Sequence, residues 1–417
     1  MIKILPGLAV AITHPLYYLF LQIAIEADQP SSTATYAARA AALLLLGMLT
    51  FFSFHSGRLK AKWSYLHLSL IIFMSLYLLR IYVLHSDGIW NLDAFYHPYS
   101  KVFPLFLLGV ILPCILCLFS SSLFTLQSTS NTFIFFTFLS IVGLTLMNLD
   151  QFGTFRTEGF EAGSISPLSL GYMAALGIGY CLLDFLRLKK YPFLLIVVFL
   201  ACGVFLLAIG ASRGPIVAIA VSAVYIFLTM EKTFKNLISG VLLVSITIGA
   251  GFSFVQYSGS GLLDRIDRSA EAFSEGETQG RGLERLSLYE ETIQIIKENS
   301  VLGSDIALPS GHWPHNYVLE ATMAVGIFAI FLVIPWLAAL GKIFIDTKAD
   351  EKQWLYLWFL QTTVMNMFTE AIWSGTGLFI CLFLVLGSGS GSKNPARENR
   401  MRGKRKRRRR REVHSGY

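Results

Sequence analysis

Runs of about twenty mostly apolar residues recur from one end of this chain to the other, and they constrain its fold more than any other feature. A run of that length crosses a bilayer as an α-helix, which satisfies its own backbone hydrogen bonds where no water can. Of the 417 residues, 54% are hydrophobic and 14% are charged, whereas a soluble domain carries about a quarter charged residues. The reading is therefore an all-α polytopic membrane protein. Twelve spans are expected near residues 4–25, 37–54, 64–84, 102–120, 131–149, 165–186, 192–211, 215–230, 237–257, 316–341, 353–372 and 374–387. The last is short, so eleven spans plus a re-entrant piece fits as well. Residues 1–257 hold nine of the twelve and residues 316–387 the other three. Between them, 258–315 forms one large loop with short helices. Only Lys3 precedes the first run and no cleavage site follows it, so it reads as a retained anchor.

Charge gives the expected sidedness. Arg58, Lys60 and Lys62 share one loop; Arg187, Lys189 and Lys190 a second; Lys232 and Lys235 a third; Lys342, Lys348 and Lys352 a fourth. All four fall on one side of a twelve-span arrangement, and basic loops mark the cytoplasmic side. Both termini land there too. The net charge of +8 comes from the tail: from Lys393 onward, twelve Lys/Arg face Glu398 and Glu412, which leaves the rest of the chain at about −2. This tail, 388–417, opens on a Gly-Ser run typical of flexible linkers, natural or engineered. Its plain partner is anionic lipid, not nucleic acid. The five cysteines lie in apolar runs, where core packing explains them better than disulfides or a metal site.

The opposite loops differ in kind. Residues 85–101 mix aromatic rings with His, Asn and Asp, residues 150–164 carry Arg156, Glu158 and Glu161, and 258–315 is the longest polar stretch. Such a lining suits carbohydrate, whose C–H faces pack on rings while its hydroxyls take hydrogen bonds.

Three features stand above the apolar background. In Gly210-Ala-Ser-Arg-Gly-Pro215 a stiff reversal holds Arg213 at a membrane boundary, beside the first turn of a helix. A snorkelling anchor is the plainer reading, although an anchor needs no Gly/Pro bracket. In the long loop, Leu286, Tyr289, Ile293 and Ile296 recur at helical spacing, with Arg281 and Arg285 one turn apart near the start. Where the loop re-enters the membrane, His312-Trp-Pro-His315-Asn316 is followed by Glu320, a carboxylate within an apolar run and so a functional candidate by default. Glu370 is another. Two histidines without further ligands do not make a metal site.

Arginines meeting at the external boundary would bind a doubly charged, lipid-attached phosphate group through their fork geometry. A histidine beside them could accept a proton from a hydroxyl. The chain lacks the Asp-x-Asp pair with which sugar-nucleotide enzymes hold a metal and pyrophosphate. Arginines would then offset the charge of a departing pyrophosphate, with no metal and no cofactor.

In these residues the chain resembles the O-antigen ligase and polymerase superfamily of bacterial membrane glycosyltransferases. The resemblance lies in Ser212-Arg213-Gly214 before a helix, Arg285-Leu-Ser-Leu-Tyr-(x13)-Gly303, and His315-Asn316-x-x-Leu-Glu320-(x5)-Gly326, in that order, over about residues 190–335. The segment Ser300-Val-Leu-Gly303-Ser-Asp departs from the usual Pro-containing, Gly-x-Gly form. The resemblance implies a GT-C-like fold in the bacterial inner membrane, with the active site on the periplasmic side. It implies a metal-independent, inverting transfer from an undecaprenyl-pyrophosphate-linked glycan. Arg213 and Arg285 would bind pyrophosphate, with Arg281 near them, and His315 would be the essential histidine. Asn316, Glu320, His312, Glu158 and Glu370 are further candidates, and a chain-length regulator or a flippase is an implied partner.

The first reading is a polymerase that moves the glycan onto a sugar hydroxyl of another lipid-linked repeat unit, favoured by Glu320 after the His-Asn pair. The second is a ligase that moves the same glycan to lipid A–core. The third is a flippase or transporter of lipid-linked sugars, disfavoured because no repeat relates the halves and the charged features gather at one face. A structural scaffold leaves Arg213 between two glycines unexplained.

Overall fold

The computed structural model describes residues 4–28, 31–55, 63–86, 99–119, 127–149, 166–210, 213–230, 238, 249, 284–346, 350–369 and 371–388. At 31, 32, 127, 167, 213 and 284–286 the backbone alone is described. Regular structure among these residues is entirely helical. The longer helices are α1 (Leu5–Thr13), α2 (Pro15–Glu26), α3 (Ser31–His55) and α4 (Tyr65–Ser86). Next, α5 (Tyr99–Phe106) continues through a π-helical turn, Leu107–Ile111, into α6 (Leu112–Phe119). Then follow α7 (Gln127–Met147), α8 (Pro167–Leu183), α9 (Phe193–Gly210), α10 (Arg213–Thr229) and α11 (Glu284–Glu298). The set ends with α12 (Tyr317–Val325), α13 (Ile330–Ile345), α14 (Gln353–Phe368) and α15 (Thr376–Gly387).

Among the described residues, seven helical stretches are long and apolar enough to cross a membrane: Thr33–His55, Tyr65–Ser86, Tyr99–Phe119, Ser128–Met147, Leu168–Leu188, Phe193–Gly210 and Tyr317–Ile345. The number rises to eight if α1 and α2 count as one broken span. The described residues thus carry seven or eight of the expected twelve by this measure. Residues 4–25 do not form one straight anchor, because α1 and α2 meet at 57° on either side of His14. Pro15 has no N–H to give the preceding turn and its ring clashes there, so the helix restarts. The expected runs at 215–230 and 374–387 form short apolar helices, Gly214–Thr229 and Thr376–Gly387. The 353–372 run gives the sixteen-residue α14, about 24 Å long against roughly 30 Å of hydrocarbon. The run at 237–257, apart from Ile238 and Gly249, and the loop residues 258–283 lie outside the described residues, as do the tail from 389 and the lysines at 232, 235 and 348.

The core is one large apolar cluster that includes residues of α8 and α14, with a small second cluster of Tyr172, Ala175, Ala218, Val364 and Met365. Residues 353–366 of α14 are all buried. Polar ties cross this core: Gln361 donates to the Ala175 carbonyl and to Ser222 Oγ, each at 2.8 Å, and Tyr180 donates to the Trp354 carbonyl at 2.9 Å. The outer surface is apolar as well. Phe54, Leu79 and Leu194 are all exposed, an arrangement stable against lipid and unfavourable against water. The five cysteines are unpaired, and all but Cys202 are buried.

The bundle has two distinguishable ends. At one, Arg187 forms an ion pair with Asp350 at 2.7 Å and donates to the Thr229 carbonyl. Nearby in the chain, Lys352 pairs with Asp346, and Lys342 donates to the Val385 carbonyl at 2.6 Å. A lysine on the last carbonyls of α15 suits the negative end of a helix dipole. Two of the four basic loops, at 187–190 and 342–352, are thereby joined at the same end. The other two, around 58–62 and 232–235, lie outside the described residues.

Candidate functional site

The far ends of α10 and α14 define the other end of the bundle, because Thr229 and Lys352 mark the first. Arg213 opens α10 and therefore lies at this far end. Pro215 packs against Gly171 of α8, and Gly214 approaches the Tyr172 hydroxyl. Tyr172 in turn packs with Val364 and Met365 near the end of α14. Thr369, just beyond α14, meets His315. Arg213 and His315 thus occupy the same end of the bundle. The Arg213 side chain, like that of Arg285 in the first turn of α11, lies outside the described residues; so do Arg281, Glu158 and Glu370 entirely.

His315 is built into a strained turn. Gly311 N donates to the Leu308 carbonyl and Leu308 N to the His312 carbonyl, which tightens the approach. His315 itself has φ +51°, a left-handed conformation that costs a non-glycine residue about 1–2 kcal/mol. Such strain persists where surrounding contacts enforce it. Here they do. Asn316 caps α12, its Oδ1 accepting from Val318 N and Leu319 N at 3.1 Å each, a contact that stabilises by about 1 kcal/mol. The Trp313 ring lies edge-on to both His315 and Trp373.

The tautomer of His315 follows from its partner. Nδ1 lies 3.1 Å from the Thr369 carbonyl, which can only accept, so Nδ1 carries the proton. In a neutral ring the basic lone pair is then on Nε2. His312, three residues earlier, is exposed. Among the described residues no three His, Cys, Asp or Glu side chains gather as they would around a metal ion.

Glu320 is fully buried one turn into α12. Its Oε1 accepts from the Tyr77 hydroxyl of α4 at 2.7 Å and from Ile372 N at 2.9 Å. It therefore joins α4, α12 and the 3₁₀ turn Ile372–Ser374, whose preceding residues hold His315. These contacts suit a residue that supports the segment holding the histidine. Replacing Glu320 with Ala leaves a buried hydroxyl and a buried N–H without an acceptor, and we expect a loss of about 2–5 kcal/mol. Glu320→Gln keeps the accepting oxygen and should melt near wild type with most activity retained. Thermal unfolding of the two purified variants checks this; a stable but inactive Gln variant would make Glu320 a reacting group instead.

Sequence reading missed Arg80 and Asp305. Arg80 Nε donates to the Ala324 carbonyl at 2.9 Å, and Nη2 donates to the carbonyls of Leu302 and Gly303 at 2.5 and 3.1 Å. It clamps the loop before the His-Asn motif onto the end of α12. Where they touch, Gly303 and Gly326 both have positive φ, and a Cβ on either would strike the other segment's backbone. Burial raises the Asp305 carboxyl above the usual range, while nearby Arg80 opposes that shift. A cation within the apolar run 64–84 was the signal that could have found Arg80.

No family model, curated protein or solved structure matches the chain. Fold and site together define, among the described residues, an all-helical protein with seven helices able to cross a membrane and a buried carboxylate behind a constrained histidine.

Proposed function

We propose that this protein is a membrane glycosyltransferase that takes its glycan from an undecaprenyl-pyrophosphate donor, and that it acts as a polymerase of surface polysaccharide. The observation that carries the reading is His315: a carbonyl fixes its tautomer, leaving Nε2 as the basic nitrogen at the end of the bundle where Arg213 opens α10. In this reading Nε2 takes the proton of an acceptor sugar hydroxyl as that oxygen attacks the anomeric carbon. The bond from that carbon to the pyrophosphate oxygen breaks with inversion. The pyrophosphate leaves with its electron pair, stabilised by Arg213 and Arg285. The site then faces the periplasm of a bacterial inner-membrane protein, the basic loops face the cytoplasm, and the bent pair, the three shorter helices and the run at 237–257 complete the twelve spans.

A ligase would use the same donor and the same residues with lipid A–core as acceptor. Glu320 does not separate the two, since its Oε1 is engaged by Tyr77 and Ile372. The test is reconstituted protein supplied with lipid-pyrophosphate glycan and a chelator of divalent metals. Elongated lipid-linked glycan is the expected product. Transfer to lipid A–core alone would assign the ligase, and dependence on added divalent metal would sink the mechanism.

A further inference from the structure

A cavity of about 390 Å³ lies inside the bundle where α1 breaks into α2, and its lining includes His14, Tyr17, Arg39, Ser169, Asn366 and Thr376. It borders the 366–376 segment but does not include His315. Its size falls within the range of ligand sites, roughly 300–1,000 Å³. His14, at the break, is 7% exposed, and neither of its ring nitrogens has a hydrogen-bond partner. Its ring is fixed edge-on by Tyr18 and Trp358. The Oδ1 of Asn366 is likewise buried without a partner, and its orientation is set because Nδ2 donates to the Thr362 carbonyl at 2.7 Å. Unsatisfied buried polar groups destabilise a fold, so three such atoms on one cavity wall require an account. A π-helical turn, Leu107–Ile111, flanks the same cavity at Gly109, and such turns occur frequently at functional sites.

The pattern of lone pairs selects the ligand. A neutral imidazole offers one N–H and one lone pair, and Asn366 Oδ1 offers only lone pairs. A phosphate accepts but does not donate, so it would leave both lone pairs unmet. An acyl chain would meet none of the three atoms. Hydroxyls both donate and accept, and the tyrosine rings 17 and 18, 5.2 Å apart, give a sugar ring an apolar face to pack on.

We propose that this cavity is a binding site for the sugar ring of a membrane-borne glycolipid. The proposal holds whether or not His315 transfers a glycan. The probe is an octyl glucoside with a diazirine on the sugar, applied to full-length protein in phosphatidylcholine nanodiscs, with adducts mapped by peptide mass spectrometry. Adducts are expected on peptides around His14, Gly109 and Thr376, competed by octyl glucoside and not by octyl phosphate. His14→Leu should lower labelling about tenfold, the loss expected for one buried hydrogen bond, with a melting temperature equal to or above wild type. His14→Gln, which keeps a donor and an acceptor, should retain labelling. If His14→Leu melts below wild type, Asn366→Leu carries the same expected loss. Absent adducts at these peptides, equal competition by octyl phosphate, or undiminished labelling of the folded variants would each overturn the proposal.

Discussion

If His315 is the base of the proposed glycan transfer, the His315→Asn variant is expected to lose about 10²–10⁴-fold in activity, the contribution of a positioned general base, while folding and melting as wild type does. Asn is the informative replacement because position 315 has φ +51°. Asn tolerates that conformation several-fold better than most residues. His315→Ala should be equally inactive but also somewhat less stable, since Ala at positive φ keeps the strain and loses the tie to Thr369. The asparagine amide can still donate to the Thr369 carbonyl that now holds Nδ1. It cannot take a proton from a hydroxyl near neutral pH. Activity and stability are therefore separated at one position. Near-normal transfer by His315→Asn would remove the histidine from the chemistry and leave it as a shaped element of the α12 entrance.

Hydropathy made the helices legible and left their interruptions hidden. The apolar run at 4–25 reads as one span because leucines and isoleucines continue through it, yet Pro15 stops the first helix and His14 turns the chain. Asn316 was legible as a candidate at the mouth of an apolar run, and the structure makes it the cap of α12. The tie that fixes the histidine was not, since it ends on a backbone carbonyl 54 residues away, and every residue has one. Glu320 stood out as a carboxylate among apolar neighbours, but its partner Tyr77 lies 243 residues earlier, beyond any local pattern. The same rule of charge in an apolar run applied to Arg80, which nonetheless went unread because it lies far from the motifs. Gly303 and Gly326 were visible as letters of a motif, and the structure supplies their reason: two backbones pass where no Cβ fits.

For Arg213→Lys the expected result is a fall in transfer of about tenfold or more, with folding unaffected. The residue begins α10, with Pro215 two residues further on. A helix N-terminus already favours an anion through its unpaired N–H groups. The guanidinium adds two parallel donors that match adjacent phosphate oxygens, whereas an ammonium offers a point charge. Lysine keeps the charge and any role as a membrane anchor, so the substitution isolates the fork. Inhibition by inorganic pyrophosphate should weaken in parallel, which a merely structural arginine would not produce. Arg80→Lys is the contrast. Arg80 spends its nitrogens on three carbonyls of the chain, so its lysine variant should lose stability while pyrophosphate inhibition of the remaining folded protein is unchanged. Full transfer by Arg213→Lys with undiminished pyrophosphate inhibition would make Arg213 an anchor at the membrane boundary, and the anion would then have to be held by other cations.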